Sequence, residues 1–319
     1  NVYNKNMVLP KAFQYGVQRM PSFAKQNIKI TPSSNNSVSS GGQLNFRMPK
    51  GLLSLPSLTL WAKGSTSTTA SYATFPRNAL EGCIQRIILN VGSGSIVCNN
   101  YNDLAMTLIN LQGSSQYLTK KNVYDNSADN AAPSANVSST QYACSEFPYV
   151  FFSAGTQPEV LDVSLVPDME LIFQMAPASV LCQTASTTGA EFTFTDCYLS
   201  CDIYSFNDST FYNEMVQLKL QTEGSIDIPF KSYQVFQRTY TGSIPFYFAS
   251  QSLDMVLFTS KPTNYSSNGV AVANGQSNYF KFMDRTDSSN YIDTIQLSIN
   301  GSNVPAWPID SSIRAYVHT

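Results

Sequence analysis

The stretch Ile84–Val97 recurs, loosely rewritten, from Ile292 onward. Ile84, Ile87, Leu89, Val91 and Ile96 align with Ile292, Ile295, Leu297, Ile299 and Val304 at a constant offset of 208 (292 minus 84). Both copies turn through a short Gly/Asn/Ser cluster, as two-residue hairpins do. Self-similarity at a fixed period constrains the fold before any local reading. A period this long is the size of a whole domain, so the chain is expected to use one supersecondary plan twice.

Charged residues make up 13% of the chain, about half of the ~25% of an average soluble domain. Tyr, Phe, Ser, Thr and Asn fill the space. Aromatic and β-branched residues suit a pleated, half-buried surface, and Asn, Ser and Gly suit turns. The fold class is therefore all-β. At 43% hydrophobic the chain can bury one or two cores, and disorder is excluded as its general state. No stretch approaches about 18 consecutive apolar residues.

The net charge of −2 conceals an asymmetry. Residues 1–80 hold nine basic side chains (Lys5, Lys11, Arg19, Lys25, Lys29, Arg47, Lys50, Lys63, Arg77) and no acidic one. The remainder holds ten basic (19 minus 9) and 21 acidic, a net of −11. Such a split suggests either a face for a polyanion or anionic membrane, or scattered solvated charges. The absence of a tight Lys/Arg cluster favours the second.

Period-two alternation marks strands at Ile28–Ile30, Leu44–Met48, Leu58–Trp61, the hairpin Ile84–Val97, Val160–Leu165, Glu170–Met175 and Glu191–Phe206. In the last, Phe192, Phe194 and Asp196 are expected on one face. A helix capped by Asn102 or Asp103 follows the first hairpin, with Leu104, Ala105, Leu108, Ile109 and Leu111 at helical spacing. A polar loop occupies Lys120–Thr140. The join falls at Asn207–Asn213. Beyond it, Val216–Leu220, Tyr233–Phe236, Ile244–Phe248 and Leu253–Phe258 read as strands, Asn300-Gly301 as a type I′ turn, and Asp310–Val317 as a second short helix. The domains expected are an N-terminal arm at 1–25, a first β-barrel at 26–212 and a second, partial one at 213–319.

Catalytic chemistry finds little footing. His318 is the single histidine and the next-to-last residue, a poor place for a triad or a zinc ligand. Cys83, Cys98, Cys144, Cys182, Cys197 and Cys201 match no zinc spacing. They read as small buried hydrophobes, with disulfides as the alternative in an oxidising compartment. Asp162 with Asp168 and Glu170, and Asp196 with Asp202, are carboxylate pairs that the sequence does not distinguish from solvated strand ends. Gly92-Ser-Gly94 lacks the Lys of a phosphate loop. Tyr15, Trp61, Tyr247 and Trp307 could stack on bases or sugars, but core or interface packing is the commoner use of such residues. No catalytic, cofactor-binding or metal-binding residue is nominated, and no cofactor or small-molecule substrate.

The paired hairpin–helix units Ile84–Leu111 and Ile292–Val317, the strand pairs around Phe46/Trp61 and Phe246/Phe258, and the cadence of Pro158–Phe206 resemble the double jelly-roll major capsid proteins of the adenovirus and tailless-phage lineage, of virophage or polinton-like type. The resemblance rests on pattern, with no short invariant motif. It implies two tandem jelly-roll β-barrels and a homotrimer with a near-hexagonal footprint. Such trimers tile an icosahedral virion shell, assembled inside the host cell, beside neighbouring trimers and penton, minor or cement proteins. It also implies that Lys120–Thr140 forms an outward tower and that the basic arm Asn1–Lys25 lies inside, near a membrane or genome. A minor or vertex capsid protein, or a jelly-roll carbohydrate-binding or adhesion protein, are the alternatives. By the offset, Thr319 corresponds to position 111 of the first copy, so the second barrel is incomplete and a native polypeptide of about 410 residues is expected from the repeat. Intact mass of the native protein checks this, and a value near 35 kDa would refute it.

Overall fold

The computed structural model describes residues 23–68, 72–76, 79–105, 135–145, 147–151, 160–183, 189–206, 209–225, 233–238, 256–257, 295–299 and 301–309. Among them the strands are β1 (Phe23–Ile30), β2 (Val38–Ser39), β3 (Gln43–Arg47), β4 (Leu52–Ser67), β5 (Ala73–Thr74), β6 (Ile84–Val91), β7 (Gly94–Asn99), β8 (Thr140–Cys144), β9 (Val160–Asp162), β10 (Met169–Met175), β11 (Cys182–Gln183), β12 (Glu191–Phe206), β13 (Ile295–Ile299) and β14 (Ser302–Ile309). The all-β expectation is met, with antiparallel ladders throughout.

Four of these ladders are nested. β6 pairs β7, β4 pairs β8, β3 pairs β10, and β1 pairs β12. That is one long antiparallel hairpin folded on itself. Two further ladders, β12 with β4 and β10 with β6, stitch its turns into sheets. The resulting orders are β1-β12-β4-β8 and β3-β10-β6-β7. Eight strands in two four-stranded sheets, alternately assigned along a rolled hairpin, define a jelly roll. The short strands decorate its rims: β2 on β12, β9 on β4, and β5 with β11.

The sheets face one another because each strand carries apolar residues on one side only. On β4, Leu53, Leu55, Leu58, Leu60 and Ala62 are buried, while Trp61 and Lys63 are half-exposed. On β10, Met169, Leu171, Phe173 and Met175 point inward. Aromatic rings fill the interior edge-to-face: Phe46 on Phe173 at 5.8 Å, Phe147 on Phe173 at 5.0 Å, and Phe75 on Tyr142 at 5.1 Å. Such pairs add about 0.5–1.5 kcal/mol each beyond simple burial. The six cysteines lie in this interior or at its rim, all buried.

Two irregularities correct the sequence reading of the long strands. On β12 an extra residue sits between Thr195 and Tyr198, and Asp196 takes φ +51°. The bulge turns Asp196 out of the face that holds Phe192 and Phe194, and returns Cys197 to the core. On β4, Leu55–Leu58 bulge opposite Cys201, with Pro56 exposed where no ladder N–H is needed. Strand β4 is also far longer than Leu58–Trp61, whereas Val160–Leu165 is a strand only to Asp162.

Other expectations shift. Residues 23–25, assigned to the arm, begin β1. Residues 101–105 are helical as expected, but the turn starts at Tyr101 behind Asn100, whose carbonyl accepts from Asp103 and Leu104. Val216–Leu220 is not a strand. It lies within a helix, Ser209–Glu223, which also contains the expected 212/213 boundary. Among the described residues no strand pairs with this segment, and Gln, Leu, Lys and Glu are good helix formers. Residues 233–238 have no regular structure. The expected strands at 244–248 and 253–258 (save 256–257), the helix continuation to 111, the terminal helix with His318, and most of the arm and tower fall outside the described residues.

Next to its turn the second hairpin reproduces the register of the first, and beyond Leu297 it departs, Ile295 facing Ile309 where Ile87 faces Cys98. Val91↔Gly94, Asn90↔Ser95 and Leu89↔Ile96 become Ile299↔Ser302, Ser298↔Asn303 and Leu297↔Val304. Each pair is displaced by the same 208 residues that the sequence repeat gives.

Gly64 marks the tightest point of the core. A Cβ there would meet Phe75 at 2.7 Å and Tyr142 at 2.8 Å. Replacing it with Ala forces two packed rings apart, so Gly64→Ala should lower stability by about 1–3 kcal/mol. Chemical denaturation measures this, and an unchanged midpoint would mean that the rings are not packed as seen.

Candidate functional surface

Five basic residues of the first 80 lie among the described residues, and each is engaged by the later half of the same jelly roll. Lys25 Nζ is 2.7 Å from Asp202 Oδ2, Arg47 is 2.8 Å from Asp168 Oδ1, and Lys63 Nζ is 2.7 Å from Asp196 Oδ2. Lys29 Nζ stands 4.2 Å from the centre of the Tyr198 ring, and Lys50 Nζ donates to the Val166 carbonyl at 2.7 Å. The cause is topological. A nested hairpin sets β1, β3 and β4 against β12, β10 and β8, so a basic front and an acidic back become facing neighbours. Opposite charges across a ladder favour the native register over slipped ones. Of the two readings of the sequence, a basic face or scattered charges, these pairings fit the second among the described residues. Lys5, Lys11, Arg19 and Arg77 lie outside the described residues.

Asp202 is the most connected of these carboxylates. Its Oδ1 accepts from Asn27 Nδ2 at 2.8 Å while Oδ2 holds Lys25. The β4 bulge frees its backbone N–H from the ladder, and that N–H donates to Ser57 Oγ at 2.8 Å. One residue thus ties three strands. The side chain is 14% exposed, against 70% for Asp168. The Lys25 ammonium, then the Asn27 amide, hold the Asp202 carboxyl below the ordinary carboxylate range. Arg47 does the same for Asp168, and Lys63 for Asp196.

Asp162, Asp168, Asp196 and Asp202, four of the five carboxylates considered for acid–base work, make structural contacts. Asp162 accepts from Tyr212 Oη at 2.7 Å and from the Ser164 N–H at 2.9 Å. Asp168, Asp196 and Asp202 each hold a cation. Among the described residues no group of three or more His, Cys, Asp or Glu converges as a metal site. Burial pushes the thiols up: Cys98 and Cys197 to about 12, Cys201 to about 11, and Cys83 well above its usual value. They are protonated at neutral pH and thus poor nucleophiles. Among the described residues no helix is long and apolar enough to cross a membrane.

What remains is an extended outer surface on the sheet β1-β12-β4-β8. Trp61 and Tyr198 stack at 6.3 Å with 13° between planes, and Trp61 Nε1 donates to Ser200 Oγ at 2.8 Å. Phe23 meets Tyr204 edge-on at 5.8 Å. Between them lie Ser54, Thr59 and Ser200, all half-buried. Sequence reading singled out Trp61 alone, because the strands that bring it to Tyr198 are 137 positions apart (198 minus 61). Tyr15 and Tyr247 fall outside the described residues. Asn136 Oδ1 accepts from the Ala73 N–H at 2.9 Å.

No family model matches the chain, and no curated protein matches it. Two solved structures are similar at 15% identity and a TM-score of 0.42: a quasi-atomic model of the PBCV-1 virus capsid, and PBCV-1 VP54 fitted into a cryo-EM reconstruction of the virophage Sputnik. The likeness covers 62% and 63% of this chain and 45% and 46% of theirs. The chain thus spans less than half the length of those structures.

The sign of the charge coupling gives a pH dependence. Carboxyls depressed in the folded state contribute stability above the unfolded carboxylate range and lose it as pH falls through their folded values. The melting temperature should be level from pH 7 to about 5 and fall below about pH 4. Asp202→Asn should lower the neutral melting temperature and flatten the acid slope more than Asp168→Asn does. Equal slopes for both variants would remove Asp202 from its special position.

Proposed function

We infer that this chain is a viral coat protein of the double jelly-roll kind, a structural subunit rather than a catalyst. The observation that carries this reading is the repeat of one hairpin. A complete jelly roll contains β6–β7 at its centre, and the turn end of the same hairpin returns 208 residues later, its three pairs next to the turn in the same register. A β-sandwich needs both sheets to bury its apolar faces. A second hairpin of this kind therefore calls for a second sandwich in the same polypeptide. Two jelly rolls side by side make an elongated subunit, and three such subunits give six barrels in a near-hexagonal tile.

The surface supports the same reading. A shell subunit works by burying area against copies of itself, and a near-neutral face rich in Tyr, Trp, Ser and Thr suits that. Charges that are neutralised internally do not repel identical neighbours. In this reading the protein resides in the virion shell, its partners are itself, neighbouring trimers and vertex or cement proteins, the arm before Lys25 faces a membrane or genome, and Lys120–Thr140 points outward.

Size-exclusion chromatography with light scattering of the native protein tests the proposal, with a stable trimer as the expected result. Negative-stain images should show near-hexagonal particles. A monomer that binds glycans would overturn the reading in favour of a lectin, and a fivefold ring would make it a vertex protein.

A further inference from the structure

The other sheet, β3-β10-β6-β7, has an outward face that its ladders arrange in rows. Gln43, Gln174, Arg86 and Asn99 are register partners across the four strands. Two residues further along, so are Asn45, Ile172, Ile88 and Val97. Both rows alternate with buried Leu44, Phe173, Ile87 and Cys98, so both point away from the core. With strands ~4.8 Å apart and rows ~6.8 Å apart, the face is a flat patch about 14 Å wide. A polar row there lies beside a largely apolar one.

Arg86 is the exception to the charge matching in this jelly roll. The described cations before it, Lys25, Lys29, Arg47, Lys50 and Lys63, are each engaged. Arg86 is half-buried, and its Nε is sealed from solvent with no acceptor among the described residues. On the next row Asn45 Oδ1 is buried and has no donor among them. A buried polar atom left unmatched is costly, so such a pair calls for something that completes it. The planar guanidinium fork fits a carboxylate best, taken through two parallel hydrogen bonds. Gln174 and Asn99, its cross-strand neighbours, carry amide donors of their own. A polyanion fits poorly, because Glu170 lies further along the same face and Arg47 is already held by Asp168. A flat patch with an apolar row suits a protein surface, whereas a small molecule needs a concavity.

We propose that Arg86, with Gln174 and Asn99, forms a carboxylate-binding site for a protein partner. The partner is an extended segment that sets an Asp or Glu side chain on the guanidinium and, two residues on, an aliphatic side chain over Ile88 and Ile172. In an extended chain those two side chains share one face ~6.8 Å apart, which is the spacing of the rows. The site stands independently of the coat-protein reading. In a shell subunit it would select a partner by one charge on an otherwise neutral contact.

Arginine modification of the native full-length protein by phenylglyoxal, read by peptide mass spectrometry, tests this. The probe is the peptide acetyl-Ser-Glu-Ser-Ile-Ser-amide at near-saturating concentration. It should slow modification of Arg86 at least about threefold, as mass action at a mostly filled site requires. Arg47, held by Asp168, should react at an unchanged rate. The same peptide with Gln in place of Glu, and one with Glu and Ile adjacent, should protect far less. No protection by the probe, or equal protection by the Gln peptide, would remove the carboxylate site. Equal protection by the adjacent peptide would refute the extended geometry. Stronger protection by heparin would give the face to a polyanion and sink the proposal. Arg86→Gln should abolish binding of the fluorescently labelled probe while its urea midpoint stays level or rises, because an unpaired guanidinium adds little to the isolated fold. A clear fall in that midpoint would make Arg86 a structural residue and defeat the reading. Arg86→Lys should fold normally and lose most of the affinity, since a point charge does not form the fork. Full binding by that variant would reduce the site to a bare charge and overturn it.

Discussion

The ladder between β4 and β12 is the constraint on which the rest depends. Each strand is sixteen residues long, and they are the two central strands of their sheet. Their pairing joins residues 52–67 to residues 191–206, so it closes a loop that contains nearly everything else in the sandwich. Slipping that ladder by one residue would turn Leu60, Ala62, Phe192 and Leu199 toward water. The nested pairs inside it, β6 with β7 and β4 with β8, follow from the same closure. Long-range antiparallel closure of this kind is entropically costly and slow. It is held by a continuous apolar stripe on both strands rather than by any single contact.

The two bulges on this ladder convert a regular strand pair into a surface with features. The bulge at Asp196 places a carboxylate beside Lys63 that alternation alone would have buried. The bulge at Leu55–Leu58 frees the Asp202 N–H and supplies Ser57 to receive it. Bulges concentrate where a sheet must re-aim a side chain, and here both serve electrostatic neutralisation. The same neutrality explains why an uneven charge distribution along the sequence leaves so little trace on the folded surface.

The repeated hairpin shows how much freedom remains once register is fixed. Gly92 takes φ +57° at the first loop position, whereas in the second copy Gly301 takes φ +80° at the second. Gly92 is also held, its N–H donating to the Asp168 carbonyl at 2.9 Å, and Pro167 packs beside it. A Cβ on Gly301 would meet nothing within 4 Å. Glycine supplies the left-handed backbone in both turns, and the three pairs next to each turn share one register.

Period-two alternation located β3, β6, β7, β10 and β12 to within a residue or two, because one buried face per strand leaves a mark on every second position. The repeat was legible for the same reason, since Ile84, Ile87 and Leu89 are buried and Val91 packs against them, which leaves an apolar pattern that the second copy shares. Local pattern failed at Val216–Leu220, where alternation also fits a helix surface and no ladder partner forces the choice. It failed at Asp196, where a bulge breaks the count. Composition pointed to an all-β chain, and the 208-residue repeat to a plan used twice. The tertiary structure decided which strands are neighbours, and so that Lys25, Arg47 and Lys63 are neutralised and that Trp61 stacks on Tyr198. Those contacts join residues more than a hundred positions apart, and only closure of the long ladder brings them within reach.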